Sequence, residues 1–298
     1  MKVETSLHVV DARDLYLKWN DHQFEGLADS LNDDVFFVIK LIPLLLHVNS
    51  RFLPGHIGLD APSGVYSYSP SQSVLKDAAS INKKFQYQDE GKIKNSAIDS
   101  LFFQKNIIDG KLKLWIFKDI NLSNEQSGIL QKKIDKIFTW VSSRGVSLDF
   151  VFLTSLEFSE RPKYVSNENK SIYMDYFYSE IVLLAGKYPV WWLVPPNKNN
   201  EYAVFVEHIK QARFVDGSEY IDLGSTNDLH ESDILNYAVN QIKKVKKSAE
   251  ICLVKLMIAS QRCAAWAELD GVSIRLKHKL YQSEANINPL SIVSDIMH

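Results

Sequence analysis

The chain has 298 residues, of which 46% are hydrophobic and 23% are charged. This length suits one large domain or two ordinary ones, and the composition is typical of globular proteins. The formal net charge of −2 argues against bulk nucleic-acid binding and against adhesion to an acidic membrane surface.

The first 50 residues are predicted to be helical. Their apolar side chains recur at three- and four-residue steps, which places them on one face of a helix, namely Leu27, Leu31, Val35, Val38, Leu41 and Leu45. Pro43 is expected to kink this helical region rather than to end it. Glycine and proline then predict a loop at 49–64. Val65-Tyr66-Ser67-Tyr68 alternates in the way a short strand does.

The middle of the chain predicts a small sheet. Apolar runs at 101–103 and 112–117 flank the turn signal Asp109-Gly110, which predicts two strands. A helix capped by Ser123 and ended by Gly145 should follow. The apolar stretch 146–153 predicts a third strand. A strand–helix–strand order is typical of a right-handed crossover, although the sheet could also be mixed.

The last part of the chain is predicted to be mostly helical. The predicted helices cover 175–185, 202–211, 232–269 and 272–283. We therefore expect an α+β protein with an N-terminal helical segment at 1–64, an α/β core at 65–158 and a helical extension at 159–298 that packs with the core as one unit.

Nothing in the sequence predicts secretion or a membrane span. Cys252 and Cys263 would lie about three turns apart on one helix, which is too far for a disulfide. The most apolar stretch, 35–48, is interrupted by Lys40 and Pro43 and is too short to cross a bilayer. The N-terminus lacks the pattern of a signal peptide. We expect a cytoplasmic protein with reduced cysteines.

Several separated blocks carry a family resemblance. They are Ile42-Pro43-Leu44-Leu45-Leu46-His47 with Pro54-Gly55 and Pro62-Ser63-Gly64, then Trp140-Val141-Ser142-Ser143-Arg144-Gly145-Val146, then Asp175-Tyr176-Phe177-Tyr178 with Leu184-Ala185-Gly186-Lys187 and Trp191-Trp192-Leu193-Val194-Pro195, and finally Tyr220-Ile221-Asp222-Leu223-Gly224. In order and spacing they resemble the catalytic domain of class I adenylate cyclases, the enterobacterial type. The resemblance spans roughly residues 35 to 285.

The resemblance implies a fold and a site. The family's domain is built on a nucleotidyltransferase fold, so it implies a small nucleotidyltransferase-like mixed sheet with a large helical extension. In such enzymes a Gly-Ser turn cradles the triphosphate, and an Asp-x-Asp on the following strand holds two metal ions. Aligned without gaps, the Gly-Ser pair corresponds to Asp99-Ser100, and the two acids correspond to Lys111 and Lys113.

This replacement removes the chemistry that a metal site needs. Alternation along a strand puts both acids on one face, where their oxygens can hold Mg²⁺. Two ammonium groups in their place change the local charge by about +4 and supply no ligand. A third acid position is also weak, because Ser147 and Thr154 stand where acids are expected, with Asp149 nearby. We expect no catalytic residue and no metal cofactor, with Mg²⁺ required only if the chain is active.

Three interpretations of the two lysines stay open. Lys111 and Lys113 can be solvated on an exposed edge. They can instead bind a phosphate or nucleotide, together with Ser100, without turnover. In the third interpretation the alignment is out of register and the acids come from elsewhere, such as Asp99, Asp109 or Asp119.

The function expected from the sequence is that of a degenerate cyclase-like domain that binds a protein partner or a nucleotide such as ATP, with no nucleic-acid or membrane partner. One alternative is an active adenylate cyclase, converting ATP to 3′,5′-cyclic AMP, or a related nucleotidyltransferase with relocated metal ligands. The other is a structural scaffold without a small-molecule site. The basic run Lys243, Lys244, Lys246 and Lys247 is interpreted as a solvated helix face, with an acidic partner as the alternative.

Overall fold

The computed structural model describes residues 2–58, 61–88, 96–106, 110–160, 170–212, 216–226, 231–244, 249–264, 271–282 and 287. In chain order the elements are α1 (Lys2–Ser30), α2 (Asp33–His47), α3 (Gln72–Ile81), β1 (Ile98–Lys105), β2 (Leu112–Lys118), α4 (Asn124–Ser143), β3 (Asp149–Leu153), α5 (Ser155–Glu160), α6 (Lys170–Glu180), β4 (Ile181–Gly186), β5 (Tyr188–Pro189), α7 (Tyr202–Ala212), β6 (Tyr220–Ile221), α8 (Glu231–Lys244), α9 (Ala249–Ala264) and α10 (Val272–Tyr281). Short 3₁₀ helices at Val190–Leu193 and Pro196–Glu201 connect β5 to α7.

A four-stranded mixed sheet lies at the centre of the protein, in the order β3-β2-β1-β4. β1 pairs antiparallel with both β2 and β4, whereas β2 and β3 are parallel and are joined through α4. The separate pair β5–β6 is only two residues long. The predicted α+β class with a small mixed sheet is confirmed.

Both faces of this sheet are covered by apolar layers. Leu101 and Leu114 point into a layer formed with α2, α3 and α4. Phe102 and Trp115 point to the other face, against α1, α6 and α10. Because successive residues of a strand face opposite ways, a strand covered on both sides carries a continuous apolar run. This burial explains why the strand sequences do not alternate between apolar and polar residues.

The helix boundaries follow local capping chemistry. The side chain of Asn32 accepts a hydrogen bond from the Val35 amide at the start of α2, and Pro43 lies inside that helix, so it does not end the region. Ser123 and Gln126 form a reciprocal capping box at the start of α4. Gly145 follows α4 with a φ of +76°. The predicted α4 and its two ends are confirmed.

Two local predictions were wrong. The predicted helix 175–185 ends at Glu180, and the chain continues as β4. Leucine and alanine favour a helix there, but pairing with the open edge of β1 satisfies the backbone of Ile181–Gly186 instead. Residues 65–68 form no strand, and Val65 makes only an isolated bridge to Ile98. Turn residues at 66–67 end that pairing after a single residue.

The predicted helical extension 159–298 contains β4, β5 and β6 as well as helices, and from Glu231 onward the elements are the helices α8, α9 and α10. The predicted helix 232–269 corresponds to α8 and α9, and residues 245–248 and 265–270 are outside the described part. Within the described ranges, none of the helices combines the length and apolar character that a membrane crossing requires.

Candidate functional site

Lys111 and Lys113, which the resemblance aligns with two acids, lie at the end of the β1–β2 hairpin where the chain turns from β1 into β2, which we call the open end. Lys111 is exposed and directly precedes β2, and Lys113 is half-buried within it. Lys113 pairs in register with Gln104 of β1 and with Asp149 of β3. Neighbouring strands lie about 4.8 Å apart and paired residues share a face, so the side chains of Lys113 and Asp149 leave the sheet on the same side.

Hydrogen bonds fix the sheet surface beside Lys113. Gln104 is 6% exposed, and its amide donates to Oε2 of Glu180 at 2.7 Å. Its carbonyl oxygen accepts from Nε1 of Trp115 at 2.8 Å. The Asn106 amide also donates to Glu180 Oε2, at 3.3 Å. Glu180 is therefore a buried carboxylate at this end, although no motif in the sequence marked it.

Aromatic packing fills the same face further along β2. Nζ of Lys113 lies 5.1 Å from the ring centre of Trp115. That ring meets Phe177 at 5.3 Å, Phe158 at 5.6 Å and Tyr173 at 5.9 Å, all edge-on. Among the described residues this cluster closes the interior side of the open end, so a ligand would approach from its rim.

A depression of about 620 Å³ lies at that rim, between β3 and α4. Lys113 and Asp149 form one side, and Asp135 of α4 contributes a second carboxylate. Across the described ranges, no group of three or more histidine, cysteine, aspartate or glutamate side chains is arranged to hold a metal ion. Of the third-acid candidates, Asp149 is exposed beside Lys113, while Thr154 donates to Glu157 at 3.1 Å.

The Asp99-Ser100 pair lies at the opposite end of the hairpin, where β1 begins and β2 ends, and we call this the closed end. Ser100 pairs with Phe117, four positions along β1 from Gln104, or about 13 Å. Ser100 is fully buried, and its hydroxyl donates to the Lys187 carbonyl at 2.7 Å. The structure thus brings Lys111 and Lys113 together and holds Ser100 apart from them.

An ion pair occupies the closed end. Lys187 Nζ lies 2.6 Å from Asp99 Oδ1, and the Lys187 amide donates to the Asp99 carbonyl at 2.8 Å. Burial raises the pKa of the Asp99 carboxyl, while the hydrogen bond and charge of Lys187 oppose that rise. The preceding Gly186 has a φ of +96°, and a β-carbon there would overlap the Asp99 carbonyl oxygen. This close packing leaves no room for a phosphate between the strands.

The other acids suggested by the sequence have separate locations. Asp119 follows β2 at the closed end, and its side chain accepts from the Asn121 amide at 2.6 Å. Asp109 is outside the described residues. Asp119 and Asp99 are near enough for the charge of Asp119 to add to the rise in the Asp99 pKa. Neither described acid lies at the open end.

The remaining family blocks stabilise the fold. Asp175 is fully buried and caps α10, accepting from the amide and hydroxyl of Ser273 at 2.8 and 2.6 Å. Tyr178 stacks on Trp191 at 4.4 Å and donates to the Gly224 carbonyl at 2.7 Å. Trp191 and Trp192 are fully buried and pack in the core. On the basic helix Lys243 is exposed, while Lys246 and Lys247 fall outside the described part.

Comparison with known proteins places these features in a family. The family model described as "Adenylate cyclase NT domain" matches residues 8–192. The adenylate cyclase of Yersinia intermedia is 22% identical over 260 residues, covering 83% of this chain and 31% of that protein. That of Proteus mirabilis is 23% identical over 279 residues, covering 89% of this chain and 32% of that protein. The chain thus spans about a third of these relatives' length, and no solved structure matches it.

Proposed function

The chain belongs to the adenylate cyclase N-terminal domain family of class I cyclases, and we propose that it is a member that no longer cyclises ATP and acts by binding instead. The named activity of the relatives is that of proteins about three times as long. The proposal concerns this chain alone: a nucleotidyltransferase-like sheet that has lost its metal ligands and acts as a pseudoenzyme in the cytoplasm.

The observation that carries the proposal is the pairing of Lys113 with Asp149. Paired residues of neighbouring strands lie about 5 Å apart, so we take roughly 5 Å as the separation between the Lys113 ammonium and a metal ion held by Asp149. At an effective dielectric constant of about 20, a divalent ion and a single positive charge at that distance repel by ~7 kcal/mol. An aspartate at the same position would attract the ion by a similar amount. The single substitution therefore replaces an attraction for the metal ion by a repulsion of similar size.

The charges around the depression also disfavour a triphosphate. Lys113 is accompanied there by Asp135 and Asp149, so a phosphate would meet two carboxylates. Ser100, the third candidate phosphate ligand, is about 13 Å away and its hydroxyl is already bonded. Among binding roles, these contacts support a protein partner over ATP. ATP binding through the lysines remains the second candidate, favoured by the exposure of Lys111.

Calorimetry with ATP, in the presence and absence of Mg²⁺ or Mn²⁺, separates the candidate functions. We expect no metal-dependent binding. ATP binding that requires the metal would support an active enzyme with relocated ligands and contradict the proposal. Binding that is independent of metal and lost in Lys111→Ala/Lys113→Ala would support the nucleotide-binding form. A complete absence of binding leaves a protein-binding role or a scaffold.

Restoring the acids offers a complementary test. In Lys111→Asp/Lys113→Asp a second carboxylate would stand beside Asp149, so we expect Mn²⁺ affinity to rise at least tenfold over the parent chain. Lys132→Asp provides a matched control, because Lys132 is an exposed lysine of α4 outside the depression lining. If the parent already binds Mn²⁺ as tightly as the double variant, the two lysines do not prevent metal binding and the proposal is contradicted.

A further inference from the structure

A second cavity lies beyond the opposite end of the sheet from Lys113. Its volume is about 330 Å³, and it lies between the end of α2, the loop that follows it and residues 85–88. Val65, which follows that loop, bridges to Ile98 at the start of β1. Ile98 lies six positions from Gln104 along β1, so the cavity is about 20 Å from Lys113. It is therefore separate from the candidate cyclase site.

Hydrogen bonds hold the described part of the loop, residues 49–58, that lines this cavity. Both amide hydrogens of Asn49 are used, donating to the carbonyls of Ile57 at 2.8 Å and Gly58 at 2.7 Å. The Asn49 side-chain oxygen accepts from the Ile57 amide at 3.1 Å. The Asn49 side chain thus ties the start of the loop to Ile57 and Gly58, and this part of the cavity wall is ordered by the chain's own hydrogen bonds.

Two lysines of α4 hold the same wall from behind. Lys133 donates to the Val48 carbonyl at 2.6 Å, and Lys136 donates to the His56 carbonyl at 3.0 Å. Residues three apart lie on one face of a helix, so one face of α4 holds this segment at Val48 and at His56. Lys133 is fully buried, and this burial lowers its pKa to about 7. These two hydrogen bonds from α4 hold the cavity wall in place.

Aromatic rings and uncharged polar groups line the cavity. Phe85, Tyr87, His47 and His56 contribute rings. Nδ1 of His47 accepts from the Val65 amide at 3.1 Å, which fixes the orientation of this ring at the cavity wall. The described lining contains no aspartate, glutamate, lysine or arginine side chain. An ionised group buried there would lose its hydration without gaining an opposite charge.

Two glutamines supply groups suited to recognition. Gln86 and Gln88 line the cavity and are exposed to solvent. A carboxamide carries two donors and an acceptor, which match the edge of a nucleobase. Aromatic rings bind the faces of such bases by stacking. The volume lies at the small end of the range for ligand sites, which suits a nucleoside better than a larger cofactor.

We propose that this cavity binds a small uncharged molecule with a flat polar ring, of the nucleobase or nucleoside class. Rings would hold its faces, and the two glutamines would bind its edge. Charged phosphates are not needed for this recognition and would remain in solvent. The site goes beyond the proposed function, because it requires neither Lys111 nor Lys113.

Ligand-observed NMR and calorimetry on the full chain can test this site, with adenosine, guanosine, cytidine and uridine as probes and glucose as an uncharged polar control. We expect at least one nucleoside to bind with a dissociation constant below about 1 mM, and glucose not to bind. Tyr87→Ala should weaken binding at least fivefold through lost stacking. Gln86→Ala should weaken it about fivefold by removing one hydrogen bond.

Matched variants separate this site from the rest of the protein. Gln72→Ala, an exposed glutamine outside the cavity, should leave nucleoside affinity unchanged. Lys113→Asp should also leave it unchanged, which distinguishes failure of this site from failure of the proposed function. If Tyr87→Ala does not fold, Gln86→Ala alone decides. The proposal is overturned if no nucleoside binds, if glucose binds equally well, if ATP binds where adenosine does not, or if Gln86→Ala has no effect.

Discussion

The two ends of the β1–β2 hairpin use charged residues in opposite ways. At the closed end Lys187 and Asp99 pair at 2.6 Å, with side chains only 19% and 11% exposed. At the open end Lys111 is exposed, and Lys113 borders a depression that also contains Asp149. The ion pair of the closed end is largely buried, whereas Lys111 and Asp149 of the open end are exposed to solvent.

The difference shows which part of the hairpin is structural. The closed end joins β1 to β4 through the Lys187 amide, the Ser100 hydroxyl and the ion pair. The open end borders the depression between β3 and α4, and Lys111 is exposed there. We therefore expect substitutions at the closed end to alter stability, and substitutions at the open end to alter binding.

The largest difference should come from the two glycines at these ends. Gly186→Ala would place a β-carbon against the Asp99 carbonyl and 2.8 Å from Cα of Ser100, at a φ of +96°. We expect this variant to lose about 3 kcal/mol or more of its unfolding free energy. Gly110→Ala, with a φ of +66° and open space around it, should cost only about 1 kcal/mol. Urea denaturation measures both, and equal losses would refute the distinction between the ends.

The next effect concerns the ion pair itself. Lys187→Met leaves the Asp99 carboxylate buried without its partner, so we expect a loss of about 2 kcal/mol, somewhat below the cost for a fully buried pair. Adding Asp99→Asn to this variant removes the unpaired charge and should recover at least half of the loss. A double variant no more stable than Lys187→Met would show that the ion pair does not account for the effect.

The smallest effect is a dependence of stability on pH. Burial raises the pKa of Asp99 in the folded state, so the folded chain retains this proton to a higher pH than the unfolded chain. The stability that Asp99 contributes is therefore fully present below its ordinary pKa near 4 and is lost as the pH rises through the raised value. The unfolding free energy of the parent relative to Asp99→Asn should fall as the pH rises across that window. A relative stability that instead rises with pH would mean that Lys187 outweighs burial.

Much of the fold could be predicted because local signals agreed with tertiary structure. Ser123 and Gly145 marked both ends of α4, and apolar runs marked β1 and β2. β4 could not be predicted, because Leu183 and Leu184 suit a helix and only the open edge of β1 draws them into a strand. The sequence shows the local preference for helix or strand, whereas the unpaired edge of β1 that β4 joins exists only in the folded protein.

The candidate site was harder to predict than the fold. A strand that is buried on both faces shows no alternation of apolar and polar residues, so its sequence does not reveal which residues it pairs with. For this reason Ser100 could be grouped with Lys111 and Lys113 as a possible phosphate ligand. In the structure the hairpin turn pairs Gln104 with Lys113 instead. Glu180 reaches this end from α6 through its bonds to Gln104 and Asn106. No local spacing reveals a carboxylate brought in from so far along the chain.

The central claim is that the open end cannot support two-metal cyclisation of ATP, and cyclic AMP formation by the purified chain tests it most directly. With ATP and Mg²⁺ or Mn²⁺ we predict no cyclic AMP above a protein-free control. Metal-dependent cyclic AMP formation that is lost in Asp149→Asn would contradict the claim and show that the chain is a working cyclase.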